Sequence, residues 1–150
     1  AICVQAALDG LKEIRIVNIK DQFYGRLEKL TANITARTSC KVTLHDLSDE
    51  SALYDSIETS DILTNGTSVG MAPNTDACLI KNTDVFRKEL IVSDVIYNPE
   101  QTKLLKLASE KGCPTFNGLY MLLYQGAAAF KIWTGQDMPV DIIKEKYFTR

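Results

Sequence analysis

Three short apolar runs in this chain end abruptly in polar, turn-forming residues, and that repeated ending constrains the fold more than anything else in the sequence. Ile62-Leu63 stops at Thr64-Asn65-Gly66-Thr67, Leu90 to Val95 runs into Ile96-Tyr97-Asn98-Pro99, and Thr115-Phe116 runs into Asn117-Gly118. A buried strand that delivers its backbone into a polar crevice reads this way. In open parallel sheets, ligands bind just beyond the carboxyl ends of the strands. Three such endings predict a binding edge.

Between these runs, helix and strand patterns alternate. Ala1 to Leu8 reads as a helix closed by Gly10, and Glu13 to Ile19 as a strand. Phe23, Leu27, Leu30 and Ile34 recur at helical spacing and predict a helix from Gln22 to Thr38. A short strand follows at Lys41 to Leu44, then a helix capped by Ser48 that carries Leu53, Tyr54 and Ile57. After the 61–67 strand and loop, Ser68 to Asp84 is polar and irregular. Leu90 to Ile96 is the next strand, and Leu104, Leu105, Leu107 and Ala108 mark a helix ended by Gly112. Beyond Thr115-Phe116 come a long helix and a last one, Asp141 to Tyr147. The alternation predicts an α/β fold with a parallel sheet and helices on both faces. No linker-like run divides the chain, so a single domain is expected.

Other classes fall away. A net charge of −2 gives no general attraction to nucleic acid or anionic membrane. No apolar run approaches the roughly 20 residues that span a bilayer. The longest, Leu119 to Trp133, is interrupted by Gln125, Gly126 and Lys131 and reads as a buried helix. Ala1 to Leu11 has no basic flank and does not resemble a signal peptide. Cys3, Cys40, Cys78 and Cys113 are spaced 37, 38 and 35 residues apart, and His45 is the only histidine. That spacing predicts reduced thiols in a cytoplasmic protein and no metal site.

A dinucleotide fold opens with a strand, a Gly-rich turn and a helix whose N-terminus faces the pyrophosphate. This sequence opens inside a helix, and its eight glycines are dispersed, with no GxGxxG-like cluster. The expectation is therefore a sequence that starts just after that turn. In the usual strand order 3-2-1-4-5-6, the first strand would lie between the strands at 13–19 and 61–64. Those two strands are then expected not to pair directly, and the 150 residues to be poorly stable alone.

Asp61-Ile-Leu-Thr-Asn-Gly-Thr-Ser-Val-Gly-Met71, Asp94-Val-Ile-Tyr-Asn-Pro99, Asn117-Gly-Leu-Tyr-Met-Leu-Leu-Tyr-Gln-Gly126 and Trp133-Thr-Gly135 closely resemble the C-terminal half of shikimate dehydrogenases, most of all the quinate/shikimate dehydrogenase branch. The likeness extends over essentially the whole chain. It implies a Rossmann-like nicotinamide-dinucleotide-binding domain over residues 1–150, without its first strand and Gly-rich loop, ending in helices that pack toward a substrate domain. That other domain, by the same resemblance, supplies most of the substrate pocket and a catalytic Lys–Asp pair. No catalytic residue is expected in this chain.

The resemblance also implies site residues. Asn18, Ile19, Lys20 and Asp21 follow the second strand of the fold, where an acidic residue contacts the adenosine ribose. A carboxylate at Asp21 accepts hydrogen bonds from ribose hydroxyls and repels a 2′-phosphate, which favours NAD. NADP-specific relatives carry arginine where Ile19 stands, while Lys20 can meet a phosphate as a point charge, so NADP stays open. Standing alone, Asp21 also reads as a helix cap. Thr64 to Thr67 would run beside the dinucleotide, with Asn65 and Thr67 positioning the loop, Gly66 allowing close approach and Ser68 touching the cofactor where relatives have lysine. Val95, Ile96, Tyr97 and Asn98 would border the nicotinamide ribose, with Tyr97 also reaching substrate; read alone, they form a strand-ending turn. Gly118 would set a backbone carbonyl near the carboxamide and Met121 would pack on the ring. Tyr120 stands where the family has glycine. Gln125 would hydrogen-bond a substrate hydroxyl or, as a buried amide, cap a backbone group.

The implied reaction is reversible hydride transfer between NAD(P) and shikimate or quinate, with 3-dehydroshikimate or 3-dehydroquinate as ketone partners. A base must take the hydroxyl proton, and no lysine here matches it. The implied partner is thus a small-molecule substrate, and a second copy in a homodimer stays open. A non-catalytic nucleotide-binding or regulatory module of the same fold is the alternative.

Overall fold

The computed structural model describes residues 1–148, and the chain divides into two compact units, Ala1–Thr59 and a second beginning at Ser60. Their strands belong to separate sheets: a two-stranded one in the first unit, a three-stranded one in the second.

In the first unit, α1 (Ile2–Leu8) leads into β1 (Glu13–Asn18), α2 (Tyr24–Arg37), β2 (Lys41–Asp46) and α3 (Glu50–Glu58). β1 and β2 are parallel, with Glu13 opposite Lys41 and Asn18 opposite Asp46. The βαβ unit forms because Leu30 and Ile34 place an apolar stripe of α2 on the sheet. They meet Ala7, Cys40 and Val42, with Cys3, Ile14 and Ile16 around them. Side chains buried this way stabilise by about 1.5–3 kcal/mol each. Arg15 adds a polar tie, donating to the Ser56 carbonyl and the Thr59 hydroxyl at the end of α3. The cap of α3 is Asp49, which accepts from the Ala52 N–H at 3.0 Å, and not Ser48. A carboxylate one residue on is the better acceptor for a helix N-terminus.

In the second unit, β3 (Ile62–Asn65), β4 (Ile91–Asp94) and β5 (Thr115–Phe116) are parallel in that order, joined by α4 (Lys103–Glu110) and followed by α5 (Leu119–Thr134) and α6 (Val140–Tyr147). β4 is central and nearly continuously buried, as a strand paired on both edges should be. Leu90 and Val92 are fully buried. β3 is expected to be buried, but among the described residues it pairs only with β4, and Ile62 is half-exposed. α4 buries Leu104, Leu105 and Ala108 on one face, and Thr102 caps it.

Two helix ends follow the sequence signal closely: Gly10 and Gly112, at φ 93° and 86°, sit one residue past the caps Asp9 and Lys111. No helix among the described residues is long and apolar enough to cross a membrane. All four cysteines are free thiols, and burial pushes those of Cys40, Cys78 and Cys113 upward, which keeps them protonated.

Candidate functional site

In the first unit, β1 and β2 both stop at one level, where the Leu47 N–H donates to the Asn18 carbonyl at 2.9 Å. The chain then turns through Ile19, Lys20 and Asp21, all exposed. Asn18 donates through Nδ2 to the Ile19 carbonyl at 3.0 Å. Asp21 Oδ1 accepts from the Phe23 N–H at 2.8 Å, so the carboxylate holds the entry to α2. Its second oxygen has no protein partner among the described residues and is open to a ligand donor. Asp21 thus shapes the turn before α2 and does not cap the helix, whose N-cap is Phe23, and one oxygen remains for a ligand. Lys20 extends over the Tyr24 ring at 5.9 Å. Across the strand pair, the Ser48 backbone N–H holds the Asp46 carboxyl below its usual value, with the Ser48 hydroxyl and then Lys20 acting the same way.

The second unit builds its strand ends differently. Asp94, the last residue of β4, is 2% exposed. Its Oδ1 accepts from the Ile96 N–H at 3.0 Å, its Oδ2 from the Thr102 hydroxyl at 2.8 Å, and Asn65 Nδ2 reaches both oxygens at 3.1 and 3.2 Å. A buried carboxylate persists without a counter-ion only when donors saturate it. Here they come from three segments, and α4 turns its N-terminus toward the charge through Thr102.

Asn65 extends this network into the next loop. Its Nδ2 donates to the Val69 carbonyl at 3.2 Å, and its Oδ1 accepts from the Thr67 N–H at 3.1 Å and the Thr67 hydroxyl at 2.7 Å. The Thr67 hydroxyl in turn accepts from the Val69 N–H at 3.1 Å. Both side chains are thus occupied in shaping the loop. Gly66 and Ser68 are left on its exposed side, and a Cβ at Gly66 would meet nothing within 4 Å. The backbone there is open to close approach.

The turn after β4 alternates inward and outward. Ile96, expected to border a ribose, is instead buried, with its N–H on Asp94 and its carbonyl accepting from the Gly118 N–H at 3.0 Å. Tyr97 and Asn98 are exposed, and Val95 is half-buried. Gly118 has a packing reason of its own: a Cβ there would lie 1.9 Å from the Val95 carbonyl oxygen. Its own carbonyl accepts from the Leu122 N–H at 3.0 Å as the first turn of α5.

α5 departs most from expectation. Read as a buried helix, it buries only Leu123. Met121 and Gln125 are both exposed, which removes the reading of Gln125 as a satisfied core amide and of Met121 as core. Leu122, within the stretch read as a buried helix, is only half-buried. The helix is apolar on nearly every face, and periodicity cannot tell which face is covered. Tyr120 turns toward α6, with Lys144 over its ring at 5.1 Å.

Asp94 and Thr102 were not among the candidates read from the sequence. Signals for both exist: an acidic residue ending a β-branched run, and a threonine two residues before a leucine pair, where helix caps belong. Neither signal reveals that the two side chains meet. Among the described residues, no group of three or more His, Cys, Asp or Glu side chains could hold a metal ion.

Comparisons with known proteins bear on these strand ends. The family described as Shikimate 5'-dehydrogenase C-terminal domain matches residues 118–146. Over 148 residues, 99% of this chain, the sequence is 53% identical to a shikimate dehydrogenase (NADP(+)) of Listeria monocytogenes, of which it covers 51%. The solved shikimate 5-dehydrogenase of Listeria monocytogenes, in complex with shikimate and NAD, aligns at TM-score 0.89 and 53% identity, covering 97% of this chain and 50% of that one. A ligand-free 5-ketofructose reductase of Gluconobacter sp. aligns at TM-score 0.76 and 33% identity, covering 96% of this chain and 50% of that one. The chain spans about half the length of the curated relatives it matches. Its parallel strands and flanking helices form a Rossmann-like fold, and over nearly its whole length the chain is similar to the C-terminal half of shikimate dehydrogenases.

Proposed function

We propose that this chain is the cofactor-binding part of an NAD-preferring shikimate or quinate dehydrogenase of the cytoplasm. The observation that carries the proposal is the match, over 97% of the chain, to an enzyme solved with shikimate and NAD. When bound, the dinucleotide supplies the hydride acceptor at its nicotinamide ring.

The residues present fit such a group. In the first unit, Asp21 offers a free carboxylate oxygen to ribose hydroxyls, and Asn18 and Lys20 flank it. Exposed Ile19 provides no charge for a 2′-phosphate. The curated relatives are named for NADP(+), whereas the Listeria structure holds NAD; the preference for NAD rests on Asp21 and Ile19 alone. In the second unit, the loop held by Asn65 and Thr67 offers Gly66 and Ser68, the turn after β4 offers Val95, Tyr97 and Asn98, and α5 begins with Gly118 and Met121. Ile96 contributes only through its backbone. Tyr97 and exposed Gln125 are assigned to the substrate hydroxyls. The proton acceptor is assigned to a lysine of the full-length protein's substrate domain, which covers the exposed apolar residues of α5 and α6, Ile132, Trp133 and Ile142 among them.

The deciding experiment measures kcat/KM of the full-length protein with shikimate and with quinate, each with NAD and NADP. Turnover of either substrate with an NAD preference supports the reading. Tight dinucleotide binding without turnover favours the non-catalytic module, and a clear NADP preference overturns the assignment to Asp21.

A further inference from the structure

We propose that Asp94 is a positioning residue that locks the loop after β3 to the turn after β4, so that both present their exposed residues to the dinucleotide as one unit; this rests on the function proposed above. The carboxylate lies at the end of the central strand, 2% exposed, and its three donors come from Asn65, Ile96 and Thr102. An apolar residue at this place would avoid the cost of burying a charge. Its Oδ1 accepts from Ile96 and Asn65 together and its Oδ2 from Thr102 and Asn65, so one carboxyl group holds donors from both loops and from the start of α4 at once.

The linkage can be followed atom by atom. On one side, Asp94 fixes the Asn65 amide, whose oxygen takes both the N–H and the hydroxyl of Thr67, and Thr67 takes the Val69 N–H. That fixes Gly66 and Ser68. On the other side, Asp94 fixes the Ile96 N–H, and Ile96 accepts from Gly118. That fixes Tyr97, Asn98 and the start of α5. Thr102 anchors the carboxylate to α4, and it also accepts from the Leu105 N–H at 3.4 Å, so its hydroxyl proton is committed to Asp94. The Asn65 amide cannot rotate end for end without placing its NH2 against the Thr67 N–H. The arrangement has one solution.

The test uses the full-length protein with Asp94→Asn, Thr102→Val, Thr102→Ser and Leu90→Ala. Asp94→Asn keeps the shape but sets an NH2 against donors. Thr102→Val removes the hydroxyl and serves if Asp94→Asn does not fold. Thr102→Ser restores the hydroxyl. Leu90→Ala destabilises the core without touching the network, since Leu90 is fully buried. Amide hydrogen exchange at Thr67, Val69 and Ile96 and the NAD dissociation constant are read at a temperature where every variant is folded. The expected result for Asp94→Asn and Thr102→Val is faster exchange at all three amides together and NAD binding weakened about tenfold, the loss of roughly one charge-assisted hydrogen bond. Thr102→Ser stays near wild type, and Leu90→Ala lowers Tm with both readouts unchanged. The proposal is overturned by faster exchange confined to Ile96, by unchanged NAD affinity despite loosened loops, or by an equal loss of NAD affinity in Leu90→Ala. Wild-type protein that binds no dinucleotide overturns the proposed function and the ligand named here, while the exchange pattern still decides whether the loops are coupled.

Discussion

The first unit ends its strands in a turn held by neighbours in sequence, whereas the second ends them in a buried network. Asp21 bonds to a residue two positions away and stays exposed. Asp94 bonds to Asn65, 29 residues away, and is buried. Both are carboxylates just beyond or at the end of a parallel strand, yet water solvates one and three protein donors satisfy the other. The difference teaches where specificity and stability reside. An exposed side chain with a spare oxygen can be exchanged at little cost to the fold, so ligand preference can be tuned there. A saturated buried acceptor cannot be changed without orphaning its donors, each a penalty of about 1–3 kcal/mol.

The contrast is broken most severely at Gly118. Gly118→Ala puts a methyl group 1.9 Å from the Val95 carbonyl oxygen, and backbone must move to admit it. The expected loss is about 3 kcal/mol of stability, the upper end of overpacking costs, measured by urea denaturation of the full-length protein. A loss below 1 kcal/mol would show that the turn after β4 is softer than the network implies.

Asp21→Ala tests the opposite limb. The NAD-to-NADP ratio of kcat/KM should fall about tenfold, equivalent to about 1.4 kcal/mol, through weaker use of NAD. Because the turn bond to the Phe23 N–H is exposed, Tm should drop only slightly. A large drop in Tm with an unchanged ratio would make Asp21 a turn residue and nothing more.

Gln125 checks whether the second unit also carries an exposed, exchangeable contact. Its exposure predicts that Gln125→Ala changes stability by less than about 0.5 kcal/mol. KM for shikimate or quinate should rise roughly three- to tenfold, the worth of one hydrogen bond, with NAD affinity unaltered. Equal losses for substrate and NAD would move Gln125 out of the substrate site.

The smallest effect is expected at Asp46. Hydrogen bonding from Ser48 depresses its folded-state value, so its contribution to stability is fully present above the unfolded carboxylate value, near about 4, and is lost as pH falls through the depressed one. Asp46→Asn should therefore flatten the acid limb of the stability curve slightly, with a small loss of stability at neutral pH that vanishes once pH falls below the depressed value. Identical acid limbs in the two proteins would remove the proposed contribution.

Much of this was legible before any coordinates. Phe23 to Ile34 marked α2 because apolar spacing of three and four is a local property. Thr64-Asn65-Gly66 and Ile96-Tyr97-Asn98 marked strand ends because turn-forming residues follow apolar runs. α5 was misjudged because its apolar residues run around the helix, so neither Gln125 nor Met121 showed which way it faced. Ser48 reads as the cap of α3 while Asp49 takes that place, because local capping signals fix a helix end only to within a residue or two.

The sequence by itself determined the order of helices and strands, the positions of the polar strand ends and the family that shares them, because these depend on periodicity and on residues close together in the chain. Only the tertiary structure decided that Asp94, Asn65 and Thr102 form one buried acceptor site, that Ile96 turns inward while Tyr97 turns outward, and that Gly118 is required by the Val95 carbonyl. Those facts depend on atoms brought together across tens of residues by the pairing of β3 with β4, and no local pattern records which donors a buried carboxylate will meet.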